Sequence, residues 1–150
     1  MDSVRDLRVV SRVSLDYLVM LLSAIVHQSG RDLVDVLILL TVGVSNVAHL
    51  NTAPNREASR QFSGLGEPVP DDLRRPVSRM QVANSLGLHR ETARRRINAL
   101  ISDGLLLQTP EGLVVGADRL QADRILGLAR VNLSLVRRMI ANLREHEVAI

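Results

Sequence analysis

The chain has 150 residues, of which 46% are hydrophobic, and its 19 basic and 16 acidic side chains give a formal net charge of +3. This length is sufficient for one compact domain, or for a small domain with an appended dimerisation element. The lack of cysteine excludes disulfides, thiolate zinc sites and thiol redox chemistry, and nothing at the start resembles a cleavable signal peptide, so a cytoplasmic protein is expected.

The first fifty residues contain two very apolar segments with leucine, valine and isoleucine at helical spacing. Helices that are apolar over most of their circumference are buried, either between protein partners or in a membrane. The longest uncharged runs, which end at Arg31 and His49, are shorter than the roughly 20 residues that a membrane span needs. We therefore predict that residues 1–51 form a helical dimerisation segment, buried against a second copy of the chain.

Residues 52–72 change in composition to Asn, Pro, Ser, Gly and charged side chains, which predicts a linker. A short helical turn near 55–62 is compatible with this composition. Arg56 and Arg60 could reach DNA, but a solvated loop is the favoured interpretation.

Residues 77–104 have the pattern of a helix-turn-helix. A first helix that turns Val82 and Leu86 inward ends at Gly87, where a tight turn between packed helices needs the left-handed conformation that glycine adopts without penalty. The second helix opens at His89, and its inward stripe has the i, i+4, i+7, i+8 spacing of one helical face. This stripe consists of Ala93, Ile97, Leu100 and Ile101.

The opposite face of the second helix has side chains suited to nucleic acid. Arginine pairs bidentately with guanine or phosphate, glutamate accepts from the cytosine amino group, and asparagine pairs with adenine. Seven arginines and one acid, Glu91, lie between Arg74 and Leu100, so this segment is locally about +6, whereas a solvated surface helix is the alternative. The residues predicted to contact DNA are Arg79, His89, Arg90, Glu91, Thr92, Arg94, Arg95 and Asn98.

Two short apolar runs follow and flank residues 109–112, which have Pro and Gly where a hairpin turn needs them. Residues 75–78 are predicted to supply a third short strand, with Ser78 capping the next helix. Residues 73–116 are therefore predicted to form a winged helix-turn-helix. The expected fold class is mainly α, with flanking N- and C-terminal dimerisation helices and a small β-hairpin wing.

The sequence Arg-Glu-Thr-Ala-Arg-Arg at 90–95, which begins three residues after Gly87, resembles the recognition helix of the catabolite activator (cyclic-AMP receptor) family. Residues 94–106 resemble bacterial winged-helix regulators generally. The resemblance covers residues 75–115, and it implies base contacts from Arg90, Glu91 and Arg95 and a phosphate contact from Thr92.

The chain departs from that family at three places. Arg96 stands where the family has an apolar residue, and the wing carries Glu111 and no arginine. Nothing upstream resembles the cyclic-nucleotide barrel, because residues 1–51 have the pattern of helices. Cyclic-nucleotide binding is therefore not expected, and no cofactor is predicted.

From residue 118 to about 147 the sequence predicts one long helix, so that residues 117–150 form a C-terminal dimerisation helix. Its apolar positions follow a coiled-coil-like spacing, and a polar Asn132 within them is the kind of residue that fixes register and oligomeric state. Self-association through this seam is favoured over an intramolecular contact. The seam consists of Ala122, Ile125, Ala129, Asn132, Val136, Met139 and Leu143, and a second stripe of Leu128, Val131 and Leu135 could receive the N-terminal helices.

Terminal helices around a winged helix are similar in architecture to the multiple-antibiotic-resistance-type regulators, whose terminal helices interlock into a dimer. The similarity implies a homodimer with two recognition helices about 34 Å apart on a palindromic operator. The predicted partners are double-stranded DNA and a second copy of the chain, with RNA polymerase as a further candidate and no membrane.

No enzymatic motif is present in the sequence: there is no Gly-rich phosphate loop, no Gly-x-Ser-x-Gly, and no histidine pair at metal-ligand spacing. His27, His49 and Asp35 could meet and bind an ion, but ordinary half-buried histidines are the favoured interpretation. A catalytic site and a metal site are therefore not predicted. The sequence predicts a sequence-specific transcription regulator, with a protein-interaction module or assembly scaffold as the alternative.

Overall fold

The computed structural model describes residues 4–52, 54, 56–62, 69–116 and 122–148, and only the backbone of residues 56, 58 and 122–126. Within these residues the chain is mainly helical with one two-stranded antiparallel sheet, which confirms a mainly α fold. The helices are α1 (Val4–Ser29), α2 (Leu33–Val47), α3 (Arg56–Gln61), α4 (Arg79–Leu86), α5 (Arg90–Ser102) and α6 (Ala122–Glu145), and the strands are β1 (Leu107–Thr109) and β2 (Gly112–Val114). Single 3₁₀ turns cover Ala48–Asn51 and Asp71–Leu73.

The chain divides into two compact units, one made of Met1–Gly30 and Leu126–Ile150 and the other of Arg31–Ile125. These boundaries differ from the expected ones, because the predicted N-terminal dimerisation segment, 1–51, is split between α1 and α2. The predicted C-terminal dimerisation segment, 117–150, contains α6, most of which belongs to the same unit as α1. Its residues 117–121 lie outside the described part.

In the first unit α1 and α6 pack antiparallel. Val9 and Val13 of α1 are buried with Leu143 of α6, and Met139 packs against this cluster. The seam predicted for self-association is therefore used within the chain at these positions, because heptad spacing shows that a helix packs but not which helix it packs against.

Asn132 also has a partner in its own chain. The Tyr17 hydroxyl donates to Asn132 Oδ1 at 2.7 Å, and Arg138 donates to the Asp16 carboxylate at 2.7 Å on the same pair of helices. The asparagine thus satisfies its polar atom inside the α1–α6 pair. The hydrogen bond from Tyr17 explains a polar residue between these helices, so a contact between two copies of the chain is not needed to explain it.

The opposite face of α1 is exposed and apolar. Leu15 is 55% exposed, Leu18 46% and Val19 62%, although the sequence predicts that this stripe is buried. Val4 and Leu7 extend the stripe toward the N-terminus at helical spacing and are exposed as well. Within the described residues of this unit, α1 therefore carries one apolar face on α6 and a second one that is open.

In the second unit α2 packs on α4, α5 and β2. Asp32 caps α2 by accepting from the Asp35 amide at 3.0 Å, and Ile38 and Val42 are fully buried in the core. The expectation that residues 73–116 form a domain without α2 is wrong, because Ile38 and Val42 of α2 are part of the core of this unit. The buried core residues are Ile38, Val42, Val77, Val82, Ala83, Ala93, Ile97, Leu100, Leu106, Leu113 and Val115.

The signals that predicted α4 and α5 are confirmed. Ser78 caps α4 and forms a reciprocal capping box with Gln81. Gly87 ends α4 with φ 62°, a left-handed conformation in which other residues are strained, and His89 is the N-cap of α5. The two helices are thus joined by the predicted glycine turn.

The predicted hairpin is formed by β1 and β2, which pair antiparallel with Leu107 opposite Val114. Val77 makes an isolated antiparallel bridge to Leu113, so the predicted third strand is a single residue. Gly112 has φ 147°, and a Cβ there would lie 2.7 Å from the carbonyl oxygen of Val77. Glycine is therefore needed for this close approach.

A fully buried asparagine in α2, Asn46, ties the hairpin to the helices. Its Nδ2 donates to the carbonyl oxygens of Arg75 at 2.8 Å and Leu113 at 3.1 Å, and its Oδ1 accepts from the Val115 amide at 2.9 Å. The bonds to the Arg75 carbonyl and from the Val115 amide pair backbone groups beyond the ends of the short strands, whereas the Leu113 carbonyl also accepts from the Val77 amide at 3.1 Å. No pattern in the sequence indicated this role.

The predicted linker, 52–72, contains α3 and the turn Asp71–Leu73, while residues 63–68 lie outside the described part. By length and composition alone, α1 and the segment Leu33–Asn51 could each cross a membrane. The lengths of the uncharged runs therefore do not exclude a membrane span, because an apolar helix that contains one or two charged residues can also be long enough to cross a membrane. Length and composition do not assign either helix, but α2 is part of the core of its unit.

Candidate nucleic-acid interface

The outward face of α5 carries Glu91, Arg95 and Asn98 at i, i+4, i+7 spacing, and all three side chains are exposed. This face lies opposite the stripe that the sequence predicted to be inward. In that stripe Ala93, Ile97 and Leu100 are buried and Ile101 is half-buried. Burial of the inward stripe thus fixes which side chains α5 presents to solvent.

Two arginines on this surface have unused donors. Arg90, the first residue of α5, and Arg95 are exposed, and neither makes a hydrogen bond or ion pair with any residue that the structure describes. Each guanidinium offers five N–H donors in a planar fork. A guanine edge or a phosphate can therefore be bound without breaking an existing contact.

Glu91 and Arg94 form a bidentate pair on the same surface. Arg94 donates from Nε at 2.9 Å and from Nη2 at 2.6 Å to the two carboxylate oxygens. The Arg94 hydrogen bond lowers the pKa of Glu91 below its usual range, and Glu91 in turn raises the pKa of Arg94. Because both side chains are exposed, water screens this pair and it opens easily.

Arg79, the first residue of α4, connects three elements. Its Nη1 donates to Asn98 Oδ1 of α5 at 2.6 Å, and its Nε donates to Gln108 Oε1 of β1 at 2.9 Å. The sequence predicted Arg79 and Asn98 as separate contacts to DNA. The structure brings them together and adds Gln108, which the sequence did not indicate.

His89 and Thr92 lie at the start of α5. The Glu91 amide donates to His89 Nδ1 at 3.4 Å, so the capping bond is long and does not use Nε2, the second ring nitrogen. His89 is exposed and Thr92 is half-buried. A groove between the starts of α4 and α5 is lined by Arg79, Met80, His89, Arg90 and Arg94, with Ala83 and Ala93 at its floor.

Arg96 is turned away from this surface. Its Nη1 contacts the carboxylates of Asp32 and of Asp35, the latter at 2.9 Å, both at the start of α2. These pairs raise the pKa of Arg96, and the hydrogen bond from Arg96 is the main cause that lowers the pKa of Asp32. Arg31 extends the network by pairing with Asp103 at 2.8 Å.

Arg74 is also not part of the surface. It is buried, and it donates to the carbonyl oxygens of Val115 at 2.7 Å and Val69 at 3.0 Å. Burial lowers the pKa of Arg74. The local charge inferred from seven arginines is therefore too high, because Arg74 and Arg96 are structural. The charge count of this segment then includes five arginines and one acid, Glu91; the arginines are Arg75, Arg79, Arg90, Arg94 and Arg95.

The sequence could not predict the acidic partners of Arg96, because Asp32 and Asp35 lie more than sixty residues before it in the chain. In the described part of the chain no group of three or more His, Cys, Asp or Glu side chains could hold a metal ion. Of the three residues considered for an ion, His27 belongs to one compact unit and His49 and Asp35 to the other.

No protein-family model matches this sequence, and neither the curated proteins nor the solved structures include one with significant similarity to it.

Proposed function

We propose that the protein is a sequence-specific DNA-binding transcription regulator that acts as a homodimer. The observation that carries the proposal is the outward face of α5, where Arg90 and Arg95 are exposed and make no hydrogen bond or ion pair with the described residues. Not every arginine of this region is available for DNA, because Arg96 is paired with two carboxylates of α2.

The arrangement of elements supports a winged helix-turn-helix. In this assignment α2, α4 and α5 are its three helices, and Val77 with the β1–β2 hairpin is its wing. Helix α5 is the recognition helix, and its N-terminal residues contact base edges in the major groove. Arg90 and Arg95 supply bidentate donors, while Thr92 and His89 contact the phosphate backbone.

The open face of α1 supports the homodimer. Exposed apolar stripes of this kind mark association surfaces, and Leu15, Leu18 and Val19 lie side by side on this one. A second copy of α1 covers the stripe in the proposed dimer. The ion pair between Asp16, at the middle of α1, and Arg138 of α6 favours this interpretation and a cytoplasmic location over a membrane span.

Selection from random duplex DNA tests the proposal. The full chain is incubated with the library at moderate, fixed salt, and the bound fragments are sequenced. We expect enrichment of a palindrome with half-sites one helical turn apart, about 10 base pairs. Binding without any enriched sequence, or no binding at all, would contradict a sequence-specific regulator and would favour a protein-interaction module.

A further inference from the structure

The inference concerns Asn98, and it rests on the proposed DNA-binding function. Arg79 approaches Asn98 with a guanidinium, which has only donors, so the amide must present its oxygen to Arg79. The opposite placement of the amide would bring two sets of N–H groups together. The orientation of the Asn98 side chain is thus fixed by its partner.

Arg79 is itself held from a second side. Its Nε donates to Gln108 Oε1 at 2.9 Å, and Gln108 Nε2 donates to the carbonyl oxygen of Thr109 at 2.9 Å. Both polar atoms of the Gln108 amide are therefore engaged within the chain. Arg79 is half-buried, and one planar guanidinium holds both Asn98 of α5 and Gln108 of β1, so a movement away from Asn98 also disturbs the contact to β1.

The Glu91–Arg94 pair on the same face offers a comparison. It is bidentate, but both residues lie on one exposed helix, and nothing else in the described part of the chain holds either side chain in place. Exposed pairs three residues apart contribute little and exchange readily with other partners. Glu91 can therefore reorient when DNA approaches, whereas the Asn98 oxygen stays with Arg79.

Asparagine recognises adenine by accepting from N6 and donating to N7 at the same time. The amide oxygen of Asn98 has two lone pairs, and Arg79 uses one of them. The guanidinium beside Oδ1 also carries a positive charge, which attracts acceptor atoms of a base and repels an amino group. We propose that Arg79 is a specificity-determining positioning residue, which leaves the Nδ2 donors of Asn98 for the base and thereby favours guanine, whose O6 and N7 are both acceptors. Adenine is disfavoured because its N6 amino group would have to approach an oxygen that already accepts from a guanidinium.

The test is selection from random duplex DNA with five full-length proteins at one salt concentration. The base pair opposite Asn98 is the one at which Asn98→Ala loses its preference. The wild type is expected to favour guanine there, and Arg79→Met, which keeps the aliphatic stem and removes the donors, is expected to shift the guanine-to-adenine ratio toward adenine by about tenfold. Arg75→Met removes the same charge from a neighbouring position, so it should weaken binding evenly across sequences.

A preference of the wild type for adenine at that position, no position affected by Asn98→Ala, or an unchanged base ratio in Arg79→Met would each overturn the inference while leaving DNA binding in place. Failure of the wild type to enrich any sequence would overturn the proposed function and the inference together. Arg79→Lys guards against misfolding of the methionine variant, because lysine retains a donor toward Asn98. This variant is expected to keep the guanine preference, and loss of that preference would contradict the role of the donor.

Discussion

Arg96 of α5 donates to the carboxylate of Asp35 in α2 at 2.9 Å, and this contact joins the proposed recognition helix to the helix that completes its core. Asp32, the N-cap of α2, accepts from the same nitrogen. The position that is apolar in the family which this segment resembles is here an arginine with two acidic partners. The basic side chain therefore orients α5 and does not extend the proposed DNA-binding surface.

The Asp32 carboxylate should make the free energy of unfolding depend on pH in the acidic range. Because its pKa in the folded state is lowered, first by the Arg96 hydrogen bond and then by the Asp35 amide, the contribution of its charge is present above its unfolded pKa of about 3.9. That contribution is lost as the pH falls through the folded pKa. Asp32→Asn retains the cap, since asparagine caps as well as aspartate, and removes the charge.

We expect Asp32→Asn to have a lower free energy of unfolding than the wild type at pH 7, and the difference to shrink as the pH falls from about 5 toward 3. Urea denaturation at several pH values measures it. A difference of the same size at every pH would show that the charge on Asp32 does not contribute.

Gly112 should be required for the hairpin. Alanine there would place a Cβ 2.7 Å from the Val77 carbonyl oxygen at a φ of 147°, so we expect Gly112→Ala to lower the free energy of unfolding by about 1 to 3 kcal/mol. Gly43→Ala is the matched control, because its Cβ meets only Val115 Cγ2, at 3.9 Å, inside α2. This second change should raise the free energy of unfolding by about 0.5 to 1 kcal/mol. Equal effects of the two alanines in urea denaturation would contradict the close approach.

The open apolar face of α1 should hold two copies together. Leu18 is exposed at the middle of this face, and a glutamate there would place a charge in the proposed dimer contact at little cost to the folded chain. Sedimentation at micromolar concentration should give a dimer for the wild type and a monomer for Leu18→Glu. Ser23→Glu, at an exposed position of the same helix outside the stripe, should remain a dimer. A monomeric wild type, or a dimeric Leu18→Glu, would refute this arrangement.

The parts of the fold that the sequence predicted are those with local causes. The cap at Ser78, the left-handed turn at Gly87 and the hairpin turn before Gly112 depend on neighbouring residues alone. The inward stripe of α5 follows from helical spacing in the same way. Interactions between residues close in sequence were sufficient to predict these elements and to identify Arg90 and Arg95 as exposed.

The errors concern partners that are distant in the chain. An apolar helix such as α2 shows that it must be buried, but its spacing does not distinguish a second copy from α4 and α5 of the same chain. Arg74 and Arg96 look like surface arginines until their partners, two backbone carbonyls and two carboxylates, are known. Asn132 has the position of a register residue, yet its hydrogen bond comes from Tyr17.

The affinity of the Arg90→Ala, Arg95→Ala double variant for the selected DNA site is the direct test of the proposed recognition helix. Fluorescence anisotropy at one moderate salt concentration compares it with the wild type, with Arg95→Ala, and with Arg144→Ala, which removes an exposed arginine of α6. We expect a loss of about 1 to 3 kcal/mol for Arg95→Ala alone, a larger loss for the double variant, and no change for Arg144→Ala. Wild-type affinity in the double variant would contradict the proposed recognition helix.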